Sequence, residues 1–187
     1  EIHERLVGSE MCIRDSPYME HLCQRTGASV MLSVCEGGSV ITLDQVETRD
    51  NLRVVSDIGS RLPIYCTSQG KVFLAHMSRT SAEALLRAQH MTQFTPHTIT
   101  DLTALMQEID LCRANGYAIE NGEYKIGLRS ISAPVYTVEG KARYTVGVIG
   151  MFRSTRSDEF LAAVEQVCAT ASMISTALGY RKTEELL

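Results

Sequence analysis

From Ala28 to Cys35 the chain alternates, placing Val30, Leu32 and Val34 on one side, which predicts a half-buried strand. Glu36-Gly37-Gly38 supplies a turn and Val40 to Val46 a second strand, so the two form a hairpin. Leu52 to Ser56 predicts a third strand, and Arg61-Leu62-Pro63 then breaks the strand pattern, because proline fixes its own φ and restricts its neighbour. Thr67-Ser68-Gln69-Gly70 opens an apolar helix that runs to about His76, a small polar residue before an apolar run being an N-cap signal. Ser81 to Gln89 reads as another short helix. A stronger one begins at Thr100, with Leu102, Leu105, Met106, Ile109 and Cys112 at helical spacing and Asn115-Gly116 as its stop. Tyr117 to Glu120 predicts a strand leading into the polar turn Asn121-Gly122-Glu123. Ser130 to Tyr136 and Ala142 to Met151 predict two more strands, joined through Glu139-Gly140. A last helix runs from Asp158 to Leu178 behind Ser157, with Phe160, Val164, Val167, Cys168, Ala171, Ile174 and Leu178 inward. Hairpins with helices between them predict an α+β domain, with a largely antiparallel central sheet flanked by helices that cover one face most heavily.

The ends carry different signals. Pro17 suits the first turn of a short helix reaching about Arg25, before Gly27. Residues 1–16 show no clean period and no partner segment, and VGSEMCIRDS resembles a translated sequencing-adapter string. That stretch is read as non-native or disordered and set apart from the fold, which leaves 17–187 as the domain.

A length of 187 residues suffices for one domain with a real core. With 18 basic against 22 acidic residues the chain has a net charge of −4 and no basic stripe, which argues against nucleic-acid binding by this segment. No apolar run is read as membrane-spanning, and no secretory pattern opens the chain. The six cysteines are scattered without a CxxC pair and read as reduced, cytoplasmic thiols, Cys112 and Cys168 being small core residues.

Little in the chain points to catalysis. No GxSxG elbow is present, Gly37-Gly38 lacks the phosphate-loop pattern, and His21, His76, His90 and His97 show no metal-ligand spacing. Neither a metal nor a cofactor is expected. The one chemically suggestive feature is the start of the Ser68 helix, whose unpaired N–H groups and positive dipole end suit a carboxylate; its plain reading is a capped helix. Lys71 reads as an exposed helix residue, Glu120 by composition as a solvated strand-end carboxylate, and Arg129 as one half of a scaffold ion pair.

Taken together, Arg61-Leu62-Pro63, Thr67-Ser68-Gln69-Gly70-Lys71, Gly116-Tyr117-Ala118-Ile119-Glu120, Gly127 to Val135 and the strand ending at Gly150 resemble the effector-binding domain of the IclR family of bacterial transcriptional regulators. The resemblance covers roughly Pro17 to Gly179. It implies a GAF-like domain, a homodimer or homotetramer, that senses a small organic acid without catalysis. It also implies that DNA is bound through an N-terminal winged helix-turn-helix absent from this sequence, with the effector's bias carried through the helix near Pro17–Arg25. Carried over residue by residue, the ligand site comprises Ser68 and Gln69 (backbone N–H groups for the carboxylate), Glu120, Ser130, Gly147 and Ile149. Members that sense glyoxylate or pyruvate often have serine at the last two positions. Glycine and isoleucine here imply a larger, partly apolar or aromatic acid, or a sugar acid held by Glu120 and Ser130, with Gly147 leaving room. Two other classes compete: a stand-alone GAF-like thiol enzyme, for which Cys66 is the cysteine beside the helix start, and a purely structural oligomerisation module.

Overall fold

The computed structural model describes residues 17–49, 54 and 56–181. In chain order it contains α1 (Pro17–Thr26), β1 (Ser29–Glu36), β2 (Ser39–Val46), β3 (Arg61–Pro63), α2 (Ser68–Ala75), α3 (Arg79–Arg87), α4 (Leu102–Asn115), β4 (Ala118–Asn121), β5 (Arg129–Tyr136), β6 (Ala142–Gly150) and α5 (Asp158–Ala177). The strands form one sheet in the order β3-β2-β1-β6-β5-β4, every neighbouring pair antiparallel. This is the expected α+β architecture.

Caps set the helix boundaries. Thr67, Ser78, Asp101 and Ser157 each accept a backbone N–H from the first turn of the helix they precede. Gly116, in the left-handed conformation, ends α4. The expected helix over 81–89 starts two residues early because Ser78, rather than a later residue, supplies the cap.

The sheet divides the core in two, and this corrects the expectation that helices favour one face. On one side Val30, Leu32, Ile131, Val146 and Val148 pack with α1 and with Phe160, Val167 and Ile174 of α5. On the other, Val72 and Leu74 of α2 pack with Leu86 of α3 and Leu105 and Ile109 of α4. Strand alternation makes this possible, since successive residues of β5 and β6 feed opposite layers.

Two further expectations change. The predicted strand over Leu52–Ser56 falls mostly outside the described residues, and Val54 and Ser56 are not in a strand. The third strand is instead Arg61–Pro63, whose Leu62 pairs with Val40. Pro63 is tolerated there because β3 is an edge strand with a free side. And α5 is by length and composition apolar enough to cross a membrane. Its apolar character serves the core: Phe160, Ala163, Val164, Val167, Ala171 and Ile174 are buried within this domain.

Candidate functional site

α2 is the central element of the second layer, and all eight of its residues are buried. The Thr67 hydroxyl accepts from Gly70 N at 3.3 Å and donates to Pro63 O at 2.8 Å, so one side chain fixes both the helix start and the approach to it. Gly70 permits the close packing beneath: a Cβ there would lie 2.0 Å from Ile64 O. The first-turn N–H groups of Ser68 and Gln69 have no intrahelical acceptor, as at any α-helix start.

The sheet presents a polar row to this helix end. Across β1, β6, β5 and β4, Ser29, Ile149, Ser130 and Glu120 stand side by side, and Met31, Gly147, Ser132 and Ala118 form the next row. Ser68 Oγ lies 2.8 Å from both Ser130 Oγ and Ser132 Oγ, and Ser130 Oγ donates to Glu120 Oε2 at 3.1 Å. One proton per hydroxyl orders the chain. Ser132 donates to Ser68, Ser68 to Ser130, and Ser130 to the carboxylate.

Glu120 is 3% exposed and already well supplied with donors. Its Oε1 accepts from Glu123 N at 2.5 Å and Tyr124 N at 3.1 Å. Burial raises its pKa above the ordinary glutamate value, and the backbone donors and Ser130 partly offset that rise. Glu120 therefore anchors the segment that follows β4.

Beside this row lies a cleft of about 290 Å³, walled by the sheet, the start of α2, Val54, residues 56–60 and the loop around 124–128. Of the residues expected to bind ligand, Gln69, Glu120, Ser130 and Ile149 line it, while Ser68 and Gly147 do not. Ser68 is fully buried behind the row. Gly147 leaves no spare room, because a Cβ there would meet Ser132 Oγ at 2.2 Å and Ile131 O at 2.4 Å. Met31, Leu62 and Leu128 add apolar wall, and Thr67, Tyr124, Lys125 and Arg61 add polar rim.

Three readings of single residues are corrected. Lys71 is 1% exposed rather than a surface residue, and its Nζ meets Glu123 Oε1 at 2.6 Å and Ile119 O at 3.3 Å. Its position follows from α2 being buried all round. Arg129 donates to the backbone carbonyl of Phe152 rather than to a carboxylate, because its strand lies beside β6 and the segment leaving it. Cys66 is fully buried, and its thiol is pushed up to about 12 by burial and by the nearby Glu123 and Glu120 carboxylates. That is the reverse of the activation a thiol enzyme requires. Sequence reasoning missed Lys71, Glu123, Tyr124 and Lys125 as parts of this neighbourhood; the polar turn Asn121-Gly122-Glu123 was the one available signal.

The model of the bacterial transcriptional regulator IclR C-terminal domain matches residues 3–176. The chain belongs to this family. The HTH-type transcriptional repressor AllR of Escherichia coli strain K12 is 28% identical over 165 residues, covering 88% of this chain and 61% of that protein. The chain thus spans about three fifths of the length of the curated relatives it matches. Its IclR-type relatives are named as regulators and repressors, not enzymes. The Thermotoga maritima IclR structure superposes with a TM-score of 0.84 at 26% identity, covering 92% of this chain and 69% of that one. An IclR homologue from Microbacterium hydrocarbonoxydans, solved in complex with 4-hydroxybenzoate, shares the fold with a TM-score of 0.79 at 24% identity, over 87% of this chain and 65% of that one. The GAF-like α+β assignment of the IclR C-terminal domain is thereby established.

Proposed function

We propose that this IclR C-terminal domain is the effector-sensing part of a cytoplasmic DNA-binding transcriptional regulator, and that its effector is a small organic acid held in the cleft. The observation that carries the reading is the cleft itself. Apolar side chains at Met31, Ile149 and Leu128 lie beside a polar end formed by Gln69 and the start of α2, in about 290 Å³. A carboxylate suits the helix start, where N–H groups and the positive end of the dipole coincide.

The apolar wall favours an aromatic or branched acid over a sugar acid. Glu120, the expected hydroxyl acceptor for a sugar, already receives Glu123 N, Tyr124 N and Ser130 Oγ and keeps little capacity for a polyhydroxylated ligand. The related homologue complexed with 4-hydroxybenzoate supports this choice of class. In this reading Gln69, Ser130 and Ile149 touch the ligand, Glu120 contributes at most one contact, and Ser68 and Gly147 shape the site from behind.

The domain works as a homodimer or homotetramer and reaches DNA through a separate N-terminal winged helix-turn-helix. The effector favours one subunit arrangement, and α1 carries that bias; a coupling of about 1–3 kcal/mol is enough for regulation. A panel of aromatic, branched, keto and sugar acids tests the reading by thermal shift, followed by calorimetry. A ligand at 100 times its dissociation constant stabilises the domain by about 2.7 kcal/mol. No shift with any acid in the panel overturns the sensor reading; shifts confined to sugar acids overturn the choice of class.

A further inference from the structure

The cleft wall between β4 and β5 is a loop, residues 121–128, that contributes Tyr124, Lys125 and Leu128 to the cavity. Its base is closed by Gly122 N donating to Leu128 O at 2.9 Å. Its first half is heavily fastened. Thr95 Oγ1 donates to Gly122 O at 2.7 Å, Thr98 Oγ1 donates to Glu123 O at 2.6 Å, and Glu120 accepts the next two backbone N–H groups. The Tyr124 ring meets Phe94 edge-on at 5.0 Å. Beyond these contacts the tip is open: Lys125, Ile126 and Gly127 are exposed.

Into the fastened half runs a buried ion pair. Lys71 Nζ reaches from α2 to Glu123 Oε1 at 2.6 Å, with the two side chains 2% and 7% exposed. The same ammonium caps Ile119 O on the outer side of the edge strand β4. Glu123 Oε2 is buried and has no hydrogen-bond partner among the described residues, so the carboxylate is held chiefly by Lys71. The other ionisable groups close to this pair include Glu120, Cys66 and Cys112, none of which can replace the cation.

We propose that Lys71 and Glu123 are positioning residues that latch the 121–128 loop shut as one wall of the cleft. A buried charge without its partner moves to water or becomes neutral. Lys71 sits on a helix buried along its whole length, so the side free to move is Glu123 on the loop. Outward movement there also parts Thr98 from Glu123 O and the Glu120 carboxylate from the loop's amides. It carries Tyr124 and Lys125 away from the cleft. The latch thus joins three elements, α2, the β4 edge and the loop, through one ammonium.

The inference goes beyond the sensor reading and is tested on the 187-residue chain without any ligand. Hydrogen exchange of peptides spanning 121–128 and limited trypsin cleavage after Lys125 both report opening of the loop. They are measured for wild type, Lys71→Met, Glu123→Gln and the double variant Lys71→Met/Glu123→Leu. Each single variant raises loop exchange and cleavage by about tenfold or more while β1, β5 and β6 amides keep wild-type protection. The double variant, apolar on both sides, returns to within about threefold of wild type, as replaced buried pairs do. Unchanged loop exchange in the single variants overturns the latch, as does a rise shared equally by the sheet. A double variant as open as the singles also overturns it, because the two residues then do not act on each other. Glu123→Gln keeps shape and an acceptor oxygen, so it decides the matter if Lys71→Met fails to fold.

Discussion

Ser68 donates its hydroxyl proton to Ser130 at 2.8 Å, joining the first residue of α2 to the start of β5. The two are 62 positions apart in the chain, and their contact decides how the helix start is set against the candidate ligand cleft. Because Ser132 also meets Ser68 at 2.8 Å, a single hydroxyl serves two neighbours on β5. The start of α2 is therefore fastened from behind by a residue that does not itself line the cavity.

Ser68→Ala consequently weakens the fold rather than a ligand contact. Two buried hydroxyls lose a partner, and an unsatisfied buried polar group costs about 1–3 kcal/mol. Denaturant unfolding is expected to show a lower midpoint with an unchanged slope. A variant as stable as wild type would mean that the serine chain does not hold α2 in place.

Gly147→Ala is expected to destabilise as well. The added methyl meets Ser132 Oγ at 2.2 Å and the Ile131 carbonyl at 2.4 Å, and the carbonyl belongs to backbone that cannot turn aside. Overpacking of this kind costs about 1–3 kcal/mol. A thermal midpoint equal to wild type would show that the strands have slack the geometry does not display.

Much of this architecture is legible in the sequence because it is local. Thr67, Asp101 and Ser157 announce their helices through cap chemistry, and Val30, Leu32 and Val34 announce a core-facing strand through alternation. What escapes is decided at long range. Lys71 reads as a surface lysine because nothing within a helical turn pairs with it; its partner Glu123 lies 52 residues on. The Ser68 hydroxyl's role escapes because its partners, Ser130 and Ser132, lie on β5. Gly147 reads as empty space because the occupant, Ser132, belongs to the neighbouring strand. The resemblance points to residues of which Gln69, Glu120, Ser130 and Ile149 line one cleft. Only the packing separates the residues that face it from those that support it.

Glu120 gives the fold a pH dependence of defined sign. Burial raises its folded-state pKa above the ordinary value of 4.5, so the native state holds a proton more readily than the unfolded chain. Its contribution to stability is fully present below the ordinary value and is lost as pH rises through the raised one. The stability of wild type relative to Glu120→Gln is therefore expected to increase as pH falls from neutrality toward 4.5. Denaturant titrations of both proteins over that interval measure the difference, and a flat or opposite trend would refute the assignment.

Cys66 is expected to resist alkylation. A thiol held at about 12 carries almost no thiolate near neutrality, and its side chain is fully buried. Iodoacetamide treatment of the native domain should leave Cys66 unmodified in peptide mass spectra, while the urea-unfolded chain labels readily. Rapid labelling of the native protein at Cys66 would restore the thiol-enzyme reading.

Ile149 carries the selectivity argument furthest. It stands beside Ser130 in the sheet row and faces the cleft, where Met31 and Leu128 extend the same apolar wall. Ile149→Ser replaces part of that wall with a hydroxyl and adds volume to the cleft. Removing apolar contact in a pocket costs about 1–3 kcal/mol for the ligand that used it. An aromatic or branched acid should then bind roughly tenfold or more weakly, about 1.4 kcal/mol, whereas a two- or three-carbon keto acid should gain affinity from the new hydroxyl. Calorimetric titration of both ligand types into wild type and variant separates the possibilities. Equal losses for both would point to a damaged fold, which the unfolding midpoint would reveal. No change for either would place the effector outside this cleft and end the case for Gln69, Ser130 and Ile149 as its contacts.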